Sequence, residues 1–212
     1  MAKMITIIGP TACGKTAVAT QLAVRVGGEV ISADSRQVYR RMDIGTGKDL
    51  ADYEVGGRHV PYHLIDIAEP GTKYNLFQYQ HDFLKAYESI LARGAQPILC
   101  GGTGLYISSF VDNLQFDDSE CDYAYRGELR RFAEENGAAA LLEKLREVDP
   151  ETAAELHENN VSRVIRALEV YKTTGHTIAQ AKRESRNVPS PYEFILLTLD
   201  FEPRELLHER IN

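Results

Sequence analysis

The sequence predicts an α/β fold: a parallel sheet with helices on both faces, interrupted by a helical insertion domain. Three observations predict it. The first is Gly9-Pro10-Thr11-Ala12-Cys13-Gly14-Lys15-Thr16, which matches the P-loop pattern G-x-x-x-x-G-K-[ST] between a short apolar run and a helical pattern. The second is the alternation that follows, in which short apolar runs and helical patterns take turns, as the crossovers of a parallel sheet demand. The third is a change of character after Asn113: strand signals vanish, helical patterns follow one another to about Pro191, and a last strand closes the core. We therefore divide the chain into a P-loop α/β core, residues 1–112 with 191–212, and a helical insertion over 113–190.

In order, Met4–Ile8 reads as a buried strand, because a parallel strand covered on both faces is a continuous apolar run. Ala17–Val26 reads as a helix with Val18, Leu22 and Val26 on one face. Glu29–Ala33 is a second strand, ending at Asp34, and the mixed polar segment Ser35–Met42 is a loop with some helix. Gly45-Thr46-Gly47-Lys48 reads as a surface turn in preference to a second phosphate site, and Gly56-Gly57 as a hairpin tip. His63–Ile67 is expected as the third strand. Leu76–Arg93 is an amphipathic helix offering Phe77, Phe83, Leu84, Tyr87 and Leu91 to the core, capped by Gly94. Pro97–Cys100 is the fourth strand, running into the glycine-rich turn Gly101-Gly102-Thr103-Gly104 before a helix from Leu105. The insertion reads as helices over 122–136, 138–148, from Asp149-Pro150, 161–174 and 177–186, with Asp149 as N-cap and Pro150 in the first helical position. Glu193–Leu199 is the fifth strand, and Pro203–Asn212 opens a further helix.

With 212 residues, 43% hydrophobic and 26% charged, the chain has the composition of a folded globular protein. Its formal net charge of −7 argues weakly against a nucleic-acid partner while leaving room for a local basic face. The three cysteines, Cys13, Cys100 and Cys121, are an odd set without metal-ligand spacing, so we expect free thiols in a reducing, cytoplasmic compartment. No apolar run approaches the ~18–20 residues of a membrane span, and Met1-Ala2-Lys3 leads straight into the first strand without a signal peptide.

A loop between a strand end and a helix start aims backbone N–H groups and the positive end of the helix dipole at one point, which suits a diphosphate. Gly9, Pro10, Thr11, Ala12, Cys13 and Gly14 supply that loop, Lys15 reaches the outer phosphates, and the Thr16 hydroxyl is the candidate Mg²⁺ ligand. Ligands of an open parallel sheet sit at the carboxyl ends of its strands, where Asp34, Asp66 and the Gly101–Thr103 turn also fall. Asp34 reads as a carboxylate that holds metal beside a bound diphosphate, as a base accepting a proton from a nucleophile, or as the N-cap of the segment that follows. Asp66 reads either as a metal-holding carboxylate or as a structural one bonding loop amides. Arg163 and Arg166, three apart on one helix face, and Arg126 at the start of the insertion's first helix, read either as polyanion contacts or as a solvated face pairing with Glu158 and Glu169.

GPTACGKT, SADSRQVYRRMDIGTGK, PYHLIDI, GGTGLYI and SRVIRALEVYKTTG, in that order, resemble the tRNA dimethylallyltransferases over nearly the whole chain. Cys13 stands where that family commonly has Ser, and Tyr62 where it often has His; neither position is an expected catalytic one. The resemblance implies transfer of a dimethylallyl group from dimethylallyl diphosphate to the exocyclic amine of the adenine next to the anticodon of tRNA. It implies Asp34 as the base, with Lys15, Thr16, Mg²⁺ and the loop amides on the diphosphate, joined by Arg166. It implies that Asp34, Ser35, Arg36, Gln37 and Thr103, and in the insertion Arg126, Ser162, Arg163, Val164, Ile165 and Arg166, meet the anticodon stem-loop. It further implies a monomer and a chain that continues beyond Asn212. Two alternatives remain at this point: prenylation of free AMP, ADP or ATP, and a P-loop kinase of a small metabolite. Against the kinase, no arginine-rich lid is evident and SADSRQVY has no use. A nucleotide-binding switch without catalysis would leave Asp34 and the second glycine turn idle.

Overall fold

A computed structural model describes residues 3–113, 122–188, 190–200, 202 and 204–211. The reading of Cys121 as a free thiol, the limits of the last helix at Pro203 and Asn212, and the start of the chain at Met1-Ala2 lie outside these residues. The chain divides into two compact units, Met1–Asn113 with Ser190–Asn212, and Leu114–Pro189.

The first unit is built on strands β1 (Met4–Ile8), β2 (Gly28–Ser32), β5 (Tyr62–His63), β6 (Gln96–Gly101) and β7 (Phe194–Thr198), all parallel, in the order β5-β2-β6-β1-β7. Between β2 and β5 a 3₁₀ turn (Leu50–Tyr53) leads into a small antiparallel hairpin, β3 (Glu54–Val55) and β4 (Arg58–His59), with Gly56-Gly57 at its tip as expected. Helices α1 (Lys15–Val26), α2 (Leu76–Ala92), α3 (Gly104–Val111) and α9 (Arg204–Ile211) complete the unit. Successive side chains of a strand point to opposite faces. Accordingly Met4, Ile31 and Leu99 pack with α2 and α3, while Ile7, Val30, Ile98 and Cys100 pack with α1. Helices therefore cover both faces, as the sequence predicted.

The faces of two helices differ from expectation. In α1 the buried side chains are Ala19, Thr20 and Ala23; of the expected face Leu22 packs against the core, whereas Val18 and Val26 are exposed. The small residues let the helix axis approach the sheet closely, and the β-branched stripe is left outside. In α2 the core takes Tyr79, Phe83, Ala86, Tyr87 and Ile90, and Phe77, Leu84 and Leu91 stay on the surface. Tyr79 sets this register: its ring stacks on Tyr106 at 3.7 Å and its hydroxyl donates to Ser32 O at 3.0 Å. The third strand is also shorter than the expected His63–Ile67. Leu64 and Asp66 take left-handed backbone, and the amides of Asp66 and Ile67 donate to Gln37 O and Val38 O instead of extending the sheet.

At the amino ends of the strands Glu29, 7% exposed, accepts two bonds from Arg93, at 2.9 and 2.7 Å, and lies 2.7 Å from His63 Nε2. The Arg93 bonds hold its carboxyl below the ordinary value against the opposing effect of burial, with His63 adding to the lowering. A carboxyl lowered in the folded state stabilises the fold above its unfolded pKa and loses that contribution as pH falls through the folded one. Glu29→Gln is therefore expected to melt below the parent at pH 7, with the gap narrowing as pH drops below the glutamate range near 4.5. A gap of constant size across that range, in thermal melts of both proteins, would contradict the assignment.

The second unit consists of helices α4 (Tyr123–Asn136), α5 (Ala138–Val148), α6 (Pro150–Glu155), α7 (Val161–Thr174) and α8 (Ile178–Asn187). Asp149 caps α6 through Thr152 N with Pro150 in the first turn, as read from the sequence. The core gathers Leu129, Leu141, Leu145, Val164, Ile165 and Leu168. Among the described residues no helix of either unit is long and apolar enough to cross a membrane.

Candidate active site

Parallel register makes β1, β2 and β6 end side by side: Ile8 lies opposite Gly101, and Ser32 opposite Cys100. The chain leaves those ends as the P-loop, as Ala33-Asp34 and as the second glycine turn. Two glycines allow the close approach. A Cβ on Gly101 would sit 2.3 Å from Ala33 O, and one on Gly9 would sit 2.4 Å from Leu199 O and 2.9 Å from Cys13 Sγ.

In the P-loop Ala12 takes a left-handed backbone, φ 63°, and α1 starts at Lys15, two residues before the expected start. Gly14 is the N-cap and no side chain caps the first-turn amides. Lys15 Nζ donates to Pro10 O at 2.5 Å and lies 3.8 Å from Cys13 Sγ. The Thr16 hydroxyl enters no hydrogen bond among the described residues. Lys15 also borders the second turn, for a side chain on Gly102 would begin 3.9 Å from its Nζ. Cys100 is buried at the end of β6, and burial pushes its thiol up to about 12, with Lys15 opposing and Cys13 assisting.

On the other side of Gly102, Thr103 occupies the N-cap position of α3, yet its hydroxyl makes no cap bond. It accepts instead from Ser35 N at 2.9 Å and lies 3.3 Å from Ser35 Oγ. Asp34 Oδ1 accepts from Arg36 N at 2.8 Å and Gln37 N at 3.4 Å. Its Oδ2 carries no bond among the described residues. The capping reading and the reactive reading of Asp34 are thus compatible, one oxygen for each. Gln37 lies 2.9 Å from Ser32 Oγ through Oε1 and donates to Gly47 O at 3.0 Å through Nε2. Tyr106, in α3, faces this cluster: burial first, then Tyr39 and Asp34, push its phenol up to about 12, so it stays protonated.

The Gly45–Lys48 turn is neither a plain surface turn nor a phosphate site. The Lys48 side chain is fully buried and donates to Asp66 at 2.6 Å, Tyr39 O at 2.9 Å and Asp43 at 3.0 Å. Asp66 is thereby structural: its carboxylate is drawn onto Lys48, which is also why the chain bends away from the sheet after His63. Nothing local in GTGK announces a buried lysine; Asp43 and Asp66 as flanking acids were the one available signal.

Of the insertion residues expected to meet RNA, Val164 and Ile165 are 0% and 3% exposed, their side chains belonging to the core of the helical unit. Glu169 is fully buried and accepts from Arg126 Nε and Nη2, both at 2.7 Å, from Arg166 Nη1 at 2.6 Å and from Asp122 N at 2.9 Å. Burial pushes its carboxyl up, and the two arginines outweigh that to leave it below the ordinary value. Arg126 and Arg166 thus pair with Glu169, as one of the two readings had it, but with a buried acid and not on a solvated face, whereas Arg163 and Ser162 are exposed and Arg163 has no ion pair among the described residues.

Comparison with known proteins bears on this arrangement. The family model described as IPP transferase matches residues 37–212, and that described as isopentenyl transferase matches residues 2–62. A tRNA dimethylallyltransferase of Halalkalibacterium halodurans is 45% identical over 210 residues, 99% of this chain and 66% of the relative. One from Acetivibrio thermocellus is 44% identical over 212 residues, again 66% of its own length. This chain thus spans just under two thirds of the length of these relatives. Among solved structures, the tRNA isopentenylpyrophosphate transferase of Bacillus halodurans aligns over 100% of this chain and 64% of its own, at 41% identity and a TM-score of 0.60. A eukaryotic dimethylallyltransferase acting on tRNA aligns over 100% of this chain and 52% of its own, at 27% identity and a TM-score of 0.79.

Proposed function

The chain belongs to the tRNA dimethylallyltransferase family, and from that premise we infer that it transfers a dimethylallyl group from its diphosphate to the exocyclic amine of the adenine next to the anticodon of tRNA. The observation that carries the reading is the meeting of two chemistries across Gly102. On one side is a P-loop with uncapped amides and Lys15; on the other is Asp34, with one oxygen engaged by amides and one available.

In this reaction the adenine N6 attacks C1 of the dimethylallyl group, the C1–O bond breaks, and diphosphate departs with the bonding pair. The amine is a poor nucleophile, because its lone pair is shared with the ring. Asp34 Oδ2 orients it and takes its proton as the C–N bond forms. Oδ1, fixed by the amides of Arg36 and Gln37, keeps the carboxylate from rotating. Lys15 exchanges Pro10 O for a diphosphate oxygen, and the loop amides stabilise the charge that develops there. Ser35, Gln37 and Thr103 line the acceptor side, where the target base arrives after leaving the anticodon stack.

Among the described residues no three His, Cys, Asp or Glu side chains gather into a metal cage. Magnesium at a nucleotide or diphosphate site keeps several waters and leans on phosphate oxygens, so the single uncommitted Thr16 hydroxyl suits it. Bound there, Mg²⁺ would neutralise charge on the leaving group. The same reading takes the protein as a monomer working in the cytoplasm.

The test offers radiolabelled dimethylallyl diphosphate with tRNA, with AMP, or alone. Label on tRNA, mapped to the adenine beside the anticodon, is the expected result. Label on AMP with none on tRNA would overturn the reading in favour of a free-nucleotide acceptor.

Cys13 gives a further check on the donor site. It occupies a loop position whose phosphate contacts come from the backbone, so Cys13→Ser is expected to leave donor affinity within about twofold of the parent. Donor should also slow alkylation of Cys13, followed by peptide mapping. Equal rates with and without donor would place the diphosphate elsewhere.

A further inference from the structure

Beside the acceptor cluster lies a cleft of about 480 Å³, walled by Arg36, Tyr39, Met42, Ile44, Thr46 and Thr72. We propose that this cleft is a second nucleobase subsite, which holds the unstacked base adjacent to the target adenine. The proposal rests on the tRNA-acceptor reading above and extends it to a neighbouring nucleotide.

Four observations point to this occupant. First, Ile44 is 99% and Met42 40% exposed on a loop that is locked in place. From beneath, buried Lys48 ties Asp43, Asp66 and Tyr39 O together. Within the loop, Thr46 Oγ1 donates to Met42 O at 2.6 Å, and Gln37 Nε2 holds Gly47 O. Apolar side chains held rigidly in water cost free energy, and a locked loop of this kind is suited to a flat apolar ligand. Second, the cleft shares a wall with the acceptor site. Arg36 lines it, and the amide of Arg36 is bonded to Asp34 Oδ1. The cleft therefore adjoins the turn that holds Asp34. Third, the lining pairs the aromatic ring of Tyr39 with the aliphatic side chains of Met42 and Ile44, the combination that stacks an unpaired base. Fourth, Arg36 is exposed and forms no ion pair among the described residues, so its guanidinium is available to a phosphate or a base face.

The physical need is plain. A target base drawn out of its stack leaves its neighbour without a stacking partner, and a platform on the protein replaces that partner. Free AMP has no neighbour, so the cleft would also discriminate tRNA from mononucleotides.

The test is a binding cycle on the full chain with an anticodon stem-loop RNA. The double variant Ile44→Ser with Met42→Ser alters only exposed side chains, so folding is not at issue, and circular dichroism melts check this. The variant is expected to bind the stem-loop about tenfold more weakly than the parent, a typical loss for one stacked base. Dimethylallyl diphosphate affinity should be unchanged. The decisive arm uses stem-loops made abasic at the position before or after the target adenine. For the parent, one of these should lose the same tenfold; for the variant, that abasic RNA should lose nothing further. Additive losses, or a variant that binds the intact stem-loop as the parent does, would overturn the subsite. A parent that binds no stem-loop would overturn the tRNA reading itself and the subsite with it.

Discussion

Asp34→Asn is expected to slow dimethylallyl transfer by about 10²–10⁴-fold, the usual contribution of a positioned base, while the diphosphate donor binds as it does to the parent. The geometry makes this substitution unusually clean. Asn keeps an Oδ1 that can accept from the amides of Arg36 and Gln37, so the local turn survives. What changes is the second position, where an oxygen able to take a proton becomes an amide NH₂ that cannot. Asp34→Ala would confound the two effects, because both amides would lose their partner. Single-turnover rates with saturating donor and tRNA, beside donor affinity measured directly, separate the outcomes. An Asn variant retaining more than about a tenth of the parent rate would exclude the base role. A variant that loses donor affinity in parallel would show instead that Asp34 acts through the loop.

Which parts of this site were legible in the chain follows from how local their causes are. The P-loop is a pattern within one turn, and its strand and helix flank it directly, so GPTACGKT was legible as a strand–loop–helix unit without help. Asp34 and Thr103 were legible by position, as residues leaving parallel strands at their carboxyl ends. That Thr103 gives up its capping bond to hold Ser35 was not, since the two are 68 residues apart. Lys48 shows the same limit. A lysine in a glycine turn looks solvated, and only its two acidic partners, one of them 18 residues on, make its burial tolerable. Helix faces failed for a related reason. In α1, counting large apolar residues selected Val18 and Val26, but close packing on the sheet rewards the small Ala19 and Ala23 instead. The helical unit was legible as helices, because caps and periodicity are local, while the burial of Glu169 among Arg126 and Arg166 depends on how α4 meets α7.

That burial sets the second large effect, and it separates two arginines that look alike in the sequence. Arg126→Glu is expected to destabilise the helical unit by about 3 kcal/mol, because a fully buried Glu169 would lose a two-point partner and gain a like charge. Arg126 is about a third exposed, which is why the lower end of the range for a broken buried pair applies. For a unit of this size the corresponding fall in melting temperature is on the order of 10 °C. Any loss of RNA binding by this variant would then report unfolding and not a lost contact. Arg163 behaves oppositely. It is exposed on α7 without an ion pair, so Arg163→Glu should leave stability within about 0.5 kcal/mol of the parent. If Arg163 meets a tRNA phosphate, that variant should weaken tRNA binding and lower the log–log salt slope by about one unit between roughly 50 and 200 mM salt. Thermal melts and salt-dependent tRNA titrations on the two variants give a crossed result: one loses stability, the other loses salt slope. An Arg126→Glu protein that melts with the parent would refute the structural role given to Glu169. Parallel, unshifted salt lines for Arg163→Glu would remove Arg163 from the tRNA-facing surface and leave the core unit alone to explain acceptor choice.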